Sequence, residues 1–232
     1  MTSPLAIDIL FHIGPVPVAR SVVVTWAIMA LLVLGAWLAT RRLSLTPTRL
    51  QAVLETLVEI IDDQIRDTMH AAPERYRALV GTLFIFILAA NWSSLVPGVE
   101  PPTAHLETDV ALAGIVFVAA VGFGVRARGL GGYLRSFASP TPFMIPLNIA
   151  ETFTRSFSMS VRLFGNVMSG VFVIGVVLSL AGLFVPIPLM ALDILTGAVQ
   201  AYIFAILSAV FIGSAVSDES GGGGHTLERS KT

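Results

Sequence analysis

The sequence contains no cysteine, so disulfide bridges, thiolate nucleophiles and cysteine-based metal sites are excluded. Charge is scarce, because only 12% of the 232 residues are Asp, Glu, Lys or Arg, whereas soluble domains carry about 25%. The net charge of -1 provides no basic surface for nucleic acid. The four histidines form no pair at helical spacing, and no phosphate-binding glycine loop is present. We therefore expect no metal site, no cofactor and no catalytic site.

Apolar residues, in contrast, make up 55% of the chain. A chain of this size would leave large apolar patches exposed in water, so the lipid bilayer must be part of its solvent. A membrane-spanning helix needs about 20 apolar residues. The sequence therefore predicts an all-α, multi-pass transmembrane protein that forms a single membrane domain over residues 1–216, with five spans at about 21–40, 79–97, 109–125, 143–180 and 189–216.

The last two spans are too long to cross a bilayer perpendicularly, so we expect two long, tilted or bent C-terminal helices. Pro186 and Pro188 indicate a tight turn between them. After residue 125, arginines alternate with glycines, which favours a loop. The polar, glycine-rich residues 217–232 are expected to form a disordered tail.

Residues 46–70 have a different character from the spans. Pro47 is typical of a first helical turn. Apolar residues recur with helical period, and acidic residues occupy the opposite face. This pattern predicts an amphipathic helix that lies at the membrane surface or against partner helices.

The distribution of arginine predicts the orientation of the chain. Segment 41–78 contains six arginines and segment 126–142 contains three, whereas the loops at 98–108 and 181–188 contain neither arginine nor lysine. Basic loops stay in the cytoplasm, so the N-terminus is predicted outside and the C-terminus inside. Arg20, at the outer edge of the first span, opposes this bias.

Arg162 lies inside an otherwise apolar segment. Placing arginine at the middle of a bilayer costs from about 2.5 to more than 10 kcal/mol, so such residues usually face a cavity or a partner. Arginine also keeps its proton in proteins. With no acidic residue one turn away on its own helix, Arg162 is predicted to be functional rather than structurally paired.

A polar stripe accompanies Arg162 on one helical face, because its members are spaced three or four residues apart. Such a stripe lines an ion path or meets the polar groups of a partner. Glu151 and Arg155 are also spaced to form a purely structural ion pair, and that alternative stays open. The stripe consists of Glu151, Arg155, Ser158, Arg162 and Asn166.

The last span carries its own polar residues. Asp193 and Gln200 are seven residues apart and share a face, and Gly197 between them permits close approach of another helix. A carboxylate within a span is a candidate proton relay. Alternatively, Asp193 is a hydrated residue near the outer end of its helix, and Gln200 simply forms a hydrogen bond between helices.

These segments resemble a known family. The string SMSVRLFGNVMSG at 158–170 is similar to the signature of subunit a of F-type ATP synthases, and QAYIFAILSAVFIG at 200–213 is similar to the last helix of that family. The resemblance extends from about residue 45 to 216. The compact chain also looks like the alternate, sodium-linked type of this ATPase.

The resemblance implies a stator subunit in a bacterial inner membrane, with two half-channels that pass protons or sodium ions to and from a rotating ring of c subunits. Arg162 matches the arginine that faces this ring, and Asn166 and Gln200 match the family's asparagine and last-helix glutamine. Asp193 occupies a position where the family often has His or Glu. Val171 departs from the carboxylate that many bacterial members have there, so Asp193 becomes the main acid near the outer side.

The implied mechanism places the entry half-channel near Asp193, Glu107 and Asp109, and the exit half-channel near Glu151. The implied partners are the c ring, the b subunits of the peripheral stalk and, indirectly, the F1 sector. The competing hypotheses are a stand-alone secondary transporter or channel, which would usually show paired repeats, and a structural membrane scaffold. Ligands in the ring decide the choice between proton and sodium.

Overall fold

The computed structural model describes residues 9–13, 16–41, 49–69, 71–96, 99–137, 143, 145–181 and 185–216. Five helices in this part of the chain are long and apolar enough to cross a membrane, which confirms the all-α, five-span prediction. A sixth helix is amphipathic. In chain order the helices are α1 (Arg20–Thr40), α2 (Arg49–Met69), α3 (Arg77–Trp92), α4 (Leu106–Phe137), α5 (Ile145–Ala181) and α6 (Pro186–Val216).

Helices α3 to α6 pack around a common apolar core. Each contributes one buried stripe and leaves other apolar side chains exposed, as expected where lipid or a partner covers the outer surface. Helix α1 leaves most of its apolar side chains exposed. The largest buried core side chains on the four packed helices include Ile87 on α3, Val116 on α4, Leu163 on α5, and Phe204 and Ile212 on α6.

Helix α2 joins this core through the C-terminal half of its length. Ile65 is fully buried, and the nearly buried Asp62 forms a bidentate ion pair with Arg77 at the start of α3. The Tyr202 hydroxyl on α6 donates a hydrogen bond of 2.7 Å to Oε1 of Gln64. These contacts attach the amphipathic helix, predicted at 46–70, to the membrane helices.

Helix α4 differs from the expected short span at 109–125. It continues through the arginine- and glycine-rich segment, where the sequence predicts a loop, and changes direction at Gly129, where φ is 72°. Only glycine adopts this backbone conformation readily, so the break falls at Gly129. Arginine side chains do not end a helix, so the loss of apolar character after residue 125 does not coincide with the end of α4.

One other prediction needs correction. Pro186 and Pro188 lie in the first turn of α6 rather than in a turn before it; amide hydrogens in a first helical turn have no acceptor within the helix, so proline loses no hydrogen bond there. Before α1, the described residues form two short antiparallel strands that the sequence did not predict, β1 (Ile9–Ile13) and β2 (Val16–Ala19), and β2 leads directly into α1. The predicted tail at 217–232 lies outside the described residues.

Candidate functional site

Arg162 lies on an exposed face of α5, beside the stripe that packs into the core. Its neighbours Met159, Leu163 and Val167 are buried, whereas Arg162 itself is exposed. Among the described residues, no carboxylate lies within ion-pair distance of its guanidinium; the arginine ion pairs there involve Arg66, Arg77 and Arg155. The charge of Arg162 is therefore not neutralised within the described part of the chain.

A groove of about 600 Å³ runs along α5 from Leu147 to Arg162. Four of the five residues of the predicted stripe line it, and Leu207 contributes from α6. The polar residues of the groove are thus brought together on one exposed face. They are Glu151, Thr154, Arg155, Ser158 and Arg162.

Arg155 ties α5 to α6 at one end of this groove. Its guanidinium donates a hydrogen bond of 2.7 Å to Glu151 and lies 3.3 Å from the Ser214 hydroxyl. It also lies 5.6 Å from the centre of the Phe211 ring. The ion pair that the spacing of Glu151 and Arg155 allows is therefore formed. Arg155 differs in this respect from Arg162.

Asp193 is half-buried, where three helices meet. The Ser94 hydroxyl donates a hydrogen bond of 3.1 Å to Asp193 Oδ2. The other carboxylate oxygen lies so close to Gly170 of α5 that a methyl group there would collide with it. Asp193 is therefore held between α5 and the segment after α3 rather than extending freely away from the protein.

Two cavities meet at Asp193. The first has a volume of about 150 Å³ and lies between α5, α6 and the segment after α3; its polar lining consists of Ser94, Glu100 and Asp193. The second has a volume of about 200 Å³ and is lined by Asn166, Ser169, Asp193 and Thr196. We call them the outer cavity and the inner cavity. Asn166 of the inner cavity lies one helical turn from Arg162.

A buried hydrogen-bond network that the sequence did not predict holds α3 against α6 beside Asp193. Asn91 donates a hydrogen bond of 2.9 Å to the Gly197 carbonyl and accepts one of 2.8 Å from Thr103. A Cβ on Gly197 would lie only 3.1 Å from the Asn91 Cβ, so the predicted close approach of a helix at Gly197 is present. The sequence feature that could have indicated this role of Asn91 is a polar amide side chain within an apolar span.

Comparison with known proteins identifies the family. A family model described as "ATP synthase A chain" matches residues 22–213. The chain is 55% identical to "ATP synthase subunit a 2" of Bradyrhizobium sp. strain BTAi1 over 221 residues, which covers 95% of this chain and 99% of that protein. It is 45% identical to "ATP synthase subunit a 1" of Chlorobaculum parvum, over 89% of this chain and 92% of that protein. A protein of Albidiferax ferrireducens named "ATP synthase subunit a" is 46% identical, with 84% and 85% covered. This chain belongs to the ATP synthase A chain family.

Membership in the ATP synthase A chain family supports the predicted resemblance and disfavours a stand-alone transporter or a mere scaffold. The matched range includes the whole stripe on α5 and both polar residues singled out on α6. Gln200 is buried on α6. The bacterial relatives and the five apolar helices identify a multi-pass protein of a bacterial membrane.

The remaining two predicted residues, Glu107 and Asp109, differ in their burial. Glu107 and Asp109 are both in the first turn of α4, but Glu107 is exposed and Asp109 is fully buried. Neither carboxylate oxygen of Asp109 has a hydrogen-bond partner among the described residues. Neither residue lines the outer or the inner cavity.

Proposed function

We propose that this chain carries the ion path of the membrane sector of a rotary F-type ATP synthase. As a subunit of the stator, it would couple the flow of protons or sodium ions to ATP synthesis or hydrolysis. The observation that carries the proposal is Arg162, an exposed charge that has no carboxylate partner among the described residues. It lines the groove together with four other polar residues and lies one helical turn from Asn166 of the inner cavity.

The proposed path has two halves that do not join within this chain. A cation enters from the outside past Glu100 into the outer cavity, reaches Asp193 and continues into the inner cavity near Asn166. From there it passes to a carboxylate on the rotating c ring. It leaves through the groove on α5, in which Ser158, Arg155 and Glu151 lead towards the cytoplasm.

Arg162 separates these two halves. A ring carboxylate that faces the guanidinium is favoured in its charged form, because opposite charges attract strongly where the dielectric constant is low. Its cation therefore leaves before the carboxylate passes Arg162. A cation that moved directly between the half-channels would have to pass a fixed positive charge, so leakage is opposed. The energy that ion flow would make available for ATP synthesis is about 2.3 kcal/mol per charge at a membrane potential of 100 mV.

The partners follow from this arrangement. The exposed face of α5 that carries Arg162 is the side on which the c ring would lie, because a partner carboxylate must reach the guanidinium. Gly165 on this face has open space in front of it, which suits the close approach of a neighbouring helix. The b subunits of the peripheral stalk would hold the chain still, and the F1 sector, not this chain, would carry the catalytic sites.

Other assignments are part of the same proposal. The N-terminus lies outside and the C-terminus in the cytoplasm, which places the arginines near 126–135 and the Asp62–Arg77 pair on the cytoplasmic side. Gln200 is proposed to lie opposite Arg162. Glu107 and Asp109 remain candidates for the entry half-channel, Glu107 at its surface and Asp109 as a buried acid.

The decisive experiment replaces Arg162 with alanine in the complete complex. We expect Arg162→Ala to abolish ATP synthesis coupled to ion flow and ATP-driven ion pumping in membrane vesicles. The amount of c ring that co-purifies with the chain should stay normal, because Arg162 is exposed and not part of the buried core. Arg66→Ala is a matched control, since Arg66 is an exposed arginine that forms an ion pair with Asp63 one turn earlier on the same helix. Normal pumping by Arg162→Ala would disprove the mechanism.

A further inference from the structure

The junction between the outer and inner cavities contains one apolar residue in addition to Asp193. Both cavities are lined by Asp193 from α6 and by Ile174 from α5. Every other lining residue of either cavity belongs to that cavity alone. The two cavities are therefore adjacent at a carboxylate on one helix and a branched aliphatic side chain on the other.

These two side chains have opposite effects on a cation in transit. An apolar constriction excludes water, and a cation that must shed water to cross it meets a barrier. A carboxylate offers a place for a proton or a partly dehydrated cation. Without an apolar side chain between the two cavities, a hydrated ion could pass from one to the other without contacting Asp193.

We propose that Ile174 is the apolar half of a gate that makes cations pass through the Asp193 carboxylate. Ile174 thus determines the route of ion transfer, although it binds no ion itself. The inference rests on the proposed function, because it takes the outer and inner cavities as parts of the entry half-channel. The inference adds Ile174 to the proposed entry half-channel and gives a physical reason why cations pass through Asp193.

Helix α5 provides matched control positions on either side of Ile174. Val171 lines the outer cavity only, and Val173 lines the inner cavity only. Shortening either valine enlarges one cavity without opening the junction. Shortening Ile174 to alanine removes apolar volume from the junction itself.

The test measures ATP-driven ion pumping by the complete complex in membrane vesicles, with the co-purifying c ring as the measure of assembly. Asp193→Asn should slow pumping several-fold. Adding Ile174→Ala to Asp193→Asn should restore most of the lost rate, because water and ions then cross the junction without the carboxylate. Adding Val171→Ala or Val173→Ala instead should restore none of it.

The outcomes separate this inference from the proposed function. Normal pumping by Asp193→Asn alone would overturn both the relay role of Asp193 and the gate. Slow pumping by Asp193→Asn that Ile174→Ala does not relieve, or that the valine variants relieve equally, would overturn the gate and leave the relay.

A second measurement does not depend on pumping. Because the chain has no cysteine, one introduced cysteine gives this subunit a unique thiol. In the complete complex the c ring would cover the exposed Ser169, which lies on the same face of α5 as Arg162. A small, water-soluble thiol reagent added from the outer side should then label Ser169→Cys in the inner cavity faster when Ile174→Ala is also present. Labelling of Val99→Cys in the outer cavity should be unchanged. Equal labelling of Ser169→Cys in both backgrounds would contradict the gate.

Discussion

The Asp193 side chain on α6 occupies the space that a Cβ at position 170 of α5 would need. Gly170 therefore allows the carboxylate to lie against α5 while it accepts a hydrogen bond from Ser94 and lines both cavities. The relationship depends on the absence of a side chain, so it can be tested by adding a single methyl group.

We expect Gly170→Ala to push the Asp193 carboxylate away from α5 and to slow ATP-driven pumping to a rate near that of Asp193→Asn. Gly122→Ala on α4 is the control, because nothing lies within 4 Å of a Cβ added there and Gly122 lines neither cavity. Measurement of pumping and of co-purifying c ring decides the matter. If Gly170→Ala and Gly122→Ala pump at the same rate, the position of the carboxylate against α5 is unimportant.

The Glu151–Arg155 ion pair is expected to keep the exit groove passable for cations. Glu151→Gln leaves Arg155 as a second uncompensated positive charge in the groove that contains Arg162. We expect slower pumping that recovers as salt concentration rises, because the groove is open and its charges are screened over about 8 Å at physiological ionic strength.

The control for this prediction is Glu151→Gln combined with Arg155→Met, which removes both charges. The double variant should pump faster than Glu151→Gln alone and should show little salt dependence. A Glu151→Gln defect that is independent of salt would indicate a packing role instead, since Arg155 also contacts Ser214 and Phe211.

Asp109 gives a prediction about stability as well as transport. Burying a polar group without a hydrogen bond costs about 1–3 kcal/mol by mutational estimates, and both oxygens of Asp109 lack partners among the described residues. Asp109→Leu should therefore raise the temperature at which the purified complex dissociates. If Asp109 belongs to the entry half-channel, the same variant should pump more slowly.

Glu107→Leu is the matched control for Asp109→Leu, because Glu107 is exposed in the same turn of α4. It should leave the dissociation temperature unchanged. Faster dissociation of Asp109→Leu would mean that the carboxyl group stabilises the fold, and unaltered pumping would remove Asp109 from the proposed half-channel.

The hydrogen bonds of Asn91 should matter for the attachment of α3 to α6. Asn91→Leu leaves the fully buried Thr103 hydroxyl without its acceptor, at a cost of about 1–3 kcal/mol. We expect the complex to dissociate at a lower temperature and to pump more slowly, because the network lies beside Asp193. Ser93→Ala, which loses only a local bond to the Ala90 carbonyl, should have little effect on either measurement.

Much of the fold follows from the sequence because lipid imposes a simple rule. Each span must be a long apolar helix whose backbone groups pair internally, so apolar runs alone locate five helices. The helix ends were harder to predict. The boundary of α4 depends on Gly129, where the backbone takes a positive φ, and not on the arginines before it. The prolines at the start of α6 are tolerated inside the first turn, so they do not interrupt the helix.

For the candidate site, the sequence by itself determined that Arg162 needs a partner or a cavity, because a permanent charge in an apolar segment is too costly to leave without one. It also placed the polar stripe of α5 on one helical face, because residues three or four positions apart lie on the same side of a helix. Only the tertiary structure decided which acids are near a cavity. Glu107 and Asp109 are two residues apart, yet one is exposed and the other buried, while Asp193 reaches both cavities. The physical reason is that burial and cavity lining depend on which helices meet, and the junction of Asp193 with Gly170 and Ile174 forms only when α5 and α6 pack together.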